Sequence, residues 1–394
     1  MTITAGASPA PEREPAAPPQ PTSASPPFRF YDNRQKYLAF VNTCNEKTVI
    51  SRRAAKVIQE LRPRPPALRI FDAGMGDASV LSRLMASIHQ LFPKVPLLAV
   101  AKEISLEDVR LSLEKMPDRF HEHPHTVLAI TNLTYAEAPS LRVQNAGTTV
   151  INWHALKLEG ESTAGWRDQI EQLAPWLLTS WQTRPNPKSG NPMVVRPSVL
   201  VIYREDHEFL LDAVIPQSDR SPDGYDFILA SQPWRARMSA KFKVQKVLAP
   251  LARSLRPGGR MLTIQSYGHD PALEIVQRLW PDENPFIVGR RDLIVALRAE
   301  LGPEADNFIF EDLPDSKAVF QYQMHTLPSE IGDRIGTSTL FAAWNAAIYV
   351  NQIEDERLES VVTTGKYLDA TQAVLQKHGG LWFQDEEFIV IRKS

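Results

Sequence analysis

The sequence predicts an α/β protein built on a doubly wound, mostly parallel sheet. Two observations lead there. Short apolar runs of strand length alternate with segments of helical periodicity, the pattern of a parallel sheet covered on both faces. The first run ends in an acid and a glycine turn, Asp72-Ala-Gly74-Met-Gly76, placed where open sheets of this kind bind ligands.

The elements follow in order. Residues Met1 to Pro27 are rich in Pro, Ala and Ser. They carry too little apolar surface to offset the entropy of ordering, so a disordered tail is expected. From residue 28 to 66 a helical cap is expected. Tyr37, Phe40, Val41, Val49, Ile50, Ala54, Val57, Ile58 and Leu61 recur at helical spacing. Thr43-Cys-Asn-Glu46 has the form of a capping box, and the prolines after Arg62 stop the second helix.

The main domain is expected over residues 67–394. Leu68–Asp72, Leu97–Ala101, Thr126–Ile130, Tyr225–Ala230 and Arg260–Gln265 are strand candidates. Val80–Phe92, Leu106–Met116 and Phe242–Leu255 are the helices between them. An insertion over 145–223 breaks the rhythm. It should hold a helix near Gly165–Trp181 and a hairpin of Val199–Glu205 with Glu208–Ile215. Its length suggests a folded lid. A further strand near Phe308–Leu313, helices within 336–378 and a terminal strand ending in Phe388-Ile-Val-Ile391 complete the chain.

Bulk properties narrow the function. Lys and Arg number 44 against 46 Asp and Glu, so no overall field draws the chain to nucleic acid or anionic lipid. One cysteine, Cys44, excludes an intrachain disulfide and a cysteine-built zinc site. No apolar run is long enough to span a bilayer. The expectation is a cytoplasmic enzyme without a metal or membrane partner. His121, His123 and His125 fit a polar connecting loop better than a metal cluster.

The glycine turn says which ligand. A dinucleotide loop carries a third glycine and lays a pyrophosphate on the helix start. Here Ser79 replaces that glycine, and Asp72 and Asp77 flank the turn. Acids repel a pyrophosphate but suit a ligand bearing an ammonium and a sulfonium, so S-adenosylmethionine is favoured over NAD. Glu103, ending the second strand, stands where an acid accepts from ribose hydroxyls. Asn132, ending the third, is placed to meet an adenine edge.

The ordered series of acid-glycine turn, second-strand acid, Tyr225-Asp-Phe-Ile strand and Leu-Arg-Pro-Gly-Gly-Arg260 resembles the class I S-adenosylmethionine-dependent methyltransferases. That resemblance implies a Rossmann-like, seven-stranded sheet with a terminal antiparallel strand. It places Gly74 and Gly76 on the methionine part, with Asp72 and Ser231 also at the cofactor. More distantly, Tyr37 to Glu46, Tyr225-Asp-Phe-Ile with Gln232, and Trp382-Phe-Gln384 resemble the small-molecule enzymes related to histamine N-methyltransferase. By that likeness Glu46 and Gln232 are candidate catalytic residues, and Glu46, Tyr37, Gln232, Trp234 and Gln384 would hold a small acceptor through a nitrogen nucleophile. The chain departs from those enzymes in its insertion, its tail and the amide at Gln384.

Two other readings compete. Ser231-Gln-Pro-Trp234 partly resembles the base-holding motif of nucleic-acid amino-methyltransferases. Arg235, Arg237, Lys241 and Lys243 follow it, though a solvated helix face explains them as well. The chain would then act on nucleic acid or protein, and a broad basic groove should lie beside the motif. The other alternative is a non-catalytic binding protein of the same fold. The tryptophans Trp153, Trp166, Trp176 and Trp181 in the insertion fit helix core better than an aromatic wall.

Overall fold

The computed structural model describes residues 34–144, 150–187 and 192–394. The expected Pro/Ala-rich tail lies outside them. Among the described residues twelve strands form: β1 Leu68–Asp72, β2 Leu97–Lys102, β3 Thr126–Thr131, β4 Asn152–Leu158, β5 Thr183–Pro185, β6 Pro192–Val194, β7 Ser198–Arg204, β8 Tyr225–Ser231, β9 Leu255–Ser266, β10 Phe308–Glu311, β11 Val319–Gln323 and β12 Trp382–Arg392. Ten of them make one sheet in the order β10-β12-β9-β8-β1-β2-β3-β7-β4, with β11 also on β12.

β3, β2, β1, β8 and β9 run parallel, and β12 enters antiparallel to β9 with β10 antiparallel to it. These seven form the expected Rossmann-like sheet. Their central members are buried on both faces, which is why they appear in the sequence as unbroken apolar runs.

The insertion differs from expectation. β7 pairs antiparallel with β3, and β4 pairs parallel with β7, so this segment widens the sheet. Glu208–Leu211 is a short helix, not the second arm of a hairpin. Phe209 and Leu210 point outward, and the apolar triplet that suggests a strand buries only Leu211. Trp166 and Trp181 are core residues.

The N-terminal cap forms as two helices, α1 Arg34–Thr43 and α2 Glu46–Gln59. The capping box does not. Asn45 is the N-cap of α2, and the Thr43 hydroxyl donates back to the Ala39 carbonyl inside α1. α1 packs on the helix Thr337–Asn351, with Tyr37 and Phe40 both against the Tyr349 ring. The two helices roof one end of the glycine turn. The helix expected over Phe242–Leu255 is interrupted by a π-helical turn, Val244–Leu248, a device common beside functional sites. No helix among the described residues is long and apolar enough to cross a membrane.

Candidate active site

The chain leaves β1 for β2 on one side, while β8 lies on the other, so the carboxyl ends of β1 and β8 flank a topological switch point. Open α/β sheets bind ligands there. The turn after β1 is pinned to both neighbours. Ala73 N donates to the Leu229 carbonyl at 2.9 Å and Met75 N to the Lys102 carbonyl at 3.1 Å. Gly74 adopts φ 155 and Gly76 φ 54, torsions that side chains resist. A serine-led helix, α3 Ser79–Leu91, starts just beyond.

The second-strand acid closes this arrangement. One Glu103 oxygen accepts from Gly76 N at 2.9 Å, and the other accepts from Ile104 N and Ser105 N at 2.7 and 2.8 Å. The Trp181 indole donates to the Glu103 carbonyl at 2.8 Å, so the insertion buttresses this residue from behind.

A crevice of about 480 Å³ joins these parts. That volume lies within the range of small-molecule sites. Its lining includes Tyr37, Lys47, Gly74, Gly76, Glu103, Ile104, Ser105, Ser231, Gln232, Pro233 and Trp234. Met238 and Phe242 add apolar surface to it. Tyr135 also lines it, its hydroxyl donating to the Pro233 carbonyl at 3.1 Å.

Charge is unevenly spread. Burial pushes the Asp72 carboxyl up to about 7, opposed by Lys47 and reinforced by Glu103. Asp108 is also raised to about 7, first by burial and then by Glu103. Burial opposes the charge on Lys47, but the Glu46 carboxylate outweighs it and lifts the amine above its ordinary range. Burial lowers Lys102 to about 8.

The sequence candidates separate clearly against this geometry. Tyr37, Gly74, Gly76, Glu103, Ser231, Gln232 and Trp234 line the crevice together. Asp72 is buried at the end of β1, behind the turn. Three candidates stand elsewhere. Asn132 is consumed: its amide nitrogen donates to the carbonyls of Ser180 and Arg196, and its oxygen accepts from Ser198 N at 2.8 Å. It ties the insertion to β3, is buried, and lies outside the crevice lining. Glu46 is buried behind the lining, its carboxylate 3.0 Å from the Lys47 amine, so Lys47 and not Glu46 faces the crevice. Gln384 lies on β12 outside the lining; its backbone N–H donates to an Asp270 carboxylate oxygen and its backbone carbonyl accepts from Tyr267 N.

Gln232 has a constrained role. At φ 52 its side chain donates to the Ser266 hydroxyl at 2.9 Å and to Asp385 at 3.2 Å, and accepts from Ser266 N. Its amide braces the loop after β8. The basic run after Trp234 is divided: Arg237 and Lys241 are exposed, Arg237 paired with Glu283, while Lys243 is buried, bonded to Gln265 beneath the Trp234 ring.

Lys47, Lys102, Tyr135, Lys246 and Tyr349 are lining residues that the sequence did not single out. Strand alternation offers one signal, since Lys102 shares a face with Leu98 and Val100 and so has to be buried. Tyr349 gives none, because a helix far along the chain delivers it.

No family profile and no curated protein matches the chain. Among solved structures it is similar to a geranyl diphosphate methyltransferase held with GPP and sinefungin, at 12% identity over 87% of this chain and 78% of that one, TM-score 0.33. It is similar to the [4+2]-cyclase SpnF at 10% over 87% and 81%, TM-score 0.33. The phosphoethanolamine N-methyltransferase 2 of Haemonchus contortus matches at 10% over 87% and 53%, TM-score 0.29. Likenesses this faint carry no argument about chemistry, which has to come from the crevice.

Proposed function

We propose that the chain binds S-adenosylmethionine in this crevice and transfers its methyl group to a small-molecule acceptor. The observation that carries the proposal is the continuity of the glycine turn, Glu103 and Ser231–Trp234 around one cavity, with Glu103 bonded directly to Gly76. At Gly74 the turn leaves space, since a β-carbon there would meet nothing nearer than the Ser231 carbonyl at 3.9 Å. A Glu103 oxygen holding only one N–H keeps a lone pair for a ribose hydroxyl. The acceptor would sit against the apolar lining of Pro233, Trp234, Met238 and Phe242.

The chemistry asks little of the side chains. The acceptor's lone pair forms the new bond to the methyl carbon while the C–S bond breaks. Its electrons return to sulfur, leaving neutral S-adenosylhomocysteine, and the acceptor's proton passes to solvent or a nearby base. Rate comes from holding the two partners in line and excluding water. The lining of Tyr37, Tyr349, Trp234 and Met238 supplies that enclosure.

A nucleic-acid acceptor is less favoured, because Lys243 is buried and Arg237 is paired with Glu283, which withdraws both from the cationic run after Trp234 that a phosphate backbone would need. Calorimetric titration of the purified chain with S-adenosylmethionine tests the reading. One saturable site, competed by S-adenosylhomocysteine, is expected. Absence of binding would overturn it. Binding without methyl release to any of a panel of labelled-assay acceptors would favour the non-catalytic alternative.

A further inference from the structure

A second cavity, of about 430 Å³, lies at the pole of the sheet opposite the crevice. It is lined where the chain approaches β1, where β8 begins, where β9 turns at Pro257-Gly258 and where β12 ends. Its charged side chains are Arg62, Arg64, Arg260, Arg392 and Lys393 against Glu60 and Asp226. Both acids are already engaged. Glu60 holds Arg260 at 2.8 Å. One Asp226 oxygen accepts from Arg256 Nε at 2.6 Å, and the other accepts from Arg69 N at 2.8 Å. Arg392 is spent on the Leu255 carbonyl at 2.6 Å. Arg62, Arg64 and Lys393 have neither a side-chain hydrogen bond nor an ion pair among the described residues. Ser394 also lines the cavity, and no ion pair reaches it among those residues.

Behind the lining the excess continues. The Arg256 side chain is 10% exposed, and its Nη2 is buried with no hydrogen-bond partner among the described residues. A buried guanidinium nitrogen left unpaired is costly and rare. The charges of Arg69 and Arg64 act on Asp226 and on Arg256 alike, so three guanidiniums share this one buried carboxylate. Arg69 has a further acid, Asp223 at 3.6 Å, but that side chain is 87% exposed. Burial holds the Arg256 pKa below its ordinary value against the pull of Asp226, and Arg69 and Arg64 lower it further.

A recess of one sign concentrates counter-ions. Guanidinium forks match the oxygens of a phosphate, which puts more charge on one centre than a carboxylate does. The chain as a whole is close to neutral, with 44 basic and 46 acidic residues, so the excess is local and concave. That suits a compact anion better than a nucleic-acid strand, which needs an extended basic track. We infer that this cavity is a binding site for a compact phosphate-bearing ligand, gripped by Arg62 and Arg64 with help from Lys393. The site is separate from the methyltransferase reading, because the crevice lies at the carboxyl ends of β1 and β8 and this cavity at their amino ends.

The test titrates the intact chain with pyrophosphate by calorimetry, with citrate as a carboxylate of comparable charge. Pyrophosphate should bind one saturable site, and more tightly than citrate. The double variant Arg62→Ala/Arg64→Ala should weaken it about tenfold or more, the scale of one charged hydrogen bond lost. Arg64→Lys, which keeps the charge and loses the fork, should fall between. Arg167→Ala, which removes an exposed arginine from the insertion, should change nothing. Both arginines of the site are exposed, and unchanged denaturation midpoints would show the fold intact. Vesicles with and without phosphatidic acid form a second arm. Pyrophosphate binding without vesicle binding assigns a free phosphate compound; vesicle binding lost in the double variant assigns a lipid headgroup. Binding of neither probe overturns the inference. So does pyrophosphate affinity equal to that for citrate, or unmoved in the double variant. Tighter capture of single-stranded RNA through the same arginines would replace the compact ligand by a nucleic acid and overturn it too.

Discussion

The hydroxyl oxygen of Tyr37 lies 2.6 Å from the point where a β-carbon on residue 76 would fall, so the cap helix and the glycine turn are fitted to each other. That contact holds the turn from above, and Asp77 N donates to the same oxygen at 3.4 Å.

Gly76→Ala should therefore weaken S-adenosylmethionine binding for two separable reasons. The residue sits at φ 54, where an alanine costs about 1–2 kcal/mol. The new methyl also meets the Tyr37 hydroxyl. Adding Tyr37→Phe removes that oxygen and leaves the nearest ring carbon at 3.7 Å, an ordinary contact. Calorimetry on the single and double variants should show the double recovering part of the affinity but not all. A double variant as weak as Gly76→Ala would mean that Tyr37 is not the obstacle.

Glu103→Gln should be nearly as damaging as Glu103→Ala. The carboxylate accepts from three backbone N–H groups, split between its two oxygens. A glutamine offers one oxygen and turns an NH₂ toward at least one donor. Loss of charged hydrogen bonds on this scale costs roughly 1.5–3 kcal/mol. The expected readout is a tenfold to hundredfold weaker cofactor Kd in both variants. An intact affinity in Glu103→Gln would remove the charge from the explanation.

How much of this was legible in the sequence depends on whether the cause was local. β1, β2, β3 and β8 could be read because both of their faces are buried, which writes unbroken apolar runs. The turn from Asp72 to Gly76 could be read because its torsions demand glycine. β4 could not: its faces are half-buried, and Asn152-Trp-His-Ala-Leu-Lys-Leu158 has no clean alternation. Phe209 and Leu210 misled because exposed apolar residues look like core. Glu46 misled because a sequence does not show that Lys47 stands between its carboxylate and the cavity. Asn132 illustrates the same limit at a strand end, where an amide serves a backbone as readily as a ligand.

Asn132→Ala should accordingly act on stability and spare the cofactor. It orphans Ser198 N, which is buried in β7, and takes one donor from each of the Ser180 and Arg196 carbonyls, which the Ser198 hydroxyl still reaches. A buried group left without its partner costs about 1–3 kcal/mol. Chemical denaturation should show a loss of that size, while the Kd for S-adenosylmethionine stays within about twofold of wild type. A large fall in affinity with unchanged stability would return Asn132 to the adenine.

Lys102 makes a prediction of the opposite sign, because a buried amine with no hydrogen bond or ion pair among the described residues burdens the folded protein. Burial lowers its pKa from 10.5 to about 8. Between those values the unfolded chain binds the proton more tightly than the folded one, so stability rises with pH across that interval. Below pH 8 the burden is carried in full. Lys102→Met should then be more stable than wild type at pH 7, by on the order of 2–3 kcal/mol after the lost contact with Tyr135 is counted. The advantage should shrink as pH climbs from 8 toward 10.5, where the wild-type amine folds uncharged. Denaturation curves of the two proteins at pH 7 and pH 10 check this directly, since other titrating groups cancel in the difference. A less stable Lys102→Met, or a gap that does not change with pH, would show that the amine is already satisfied in the folded chain.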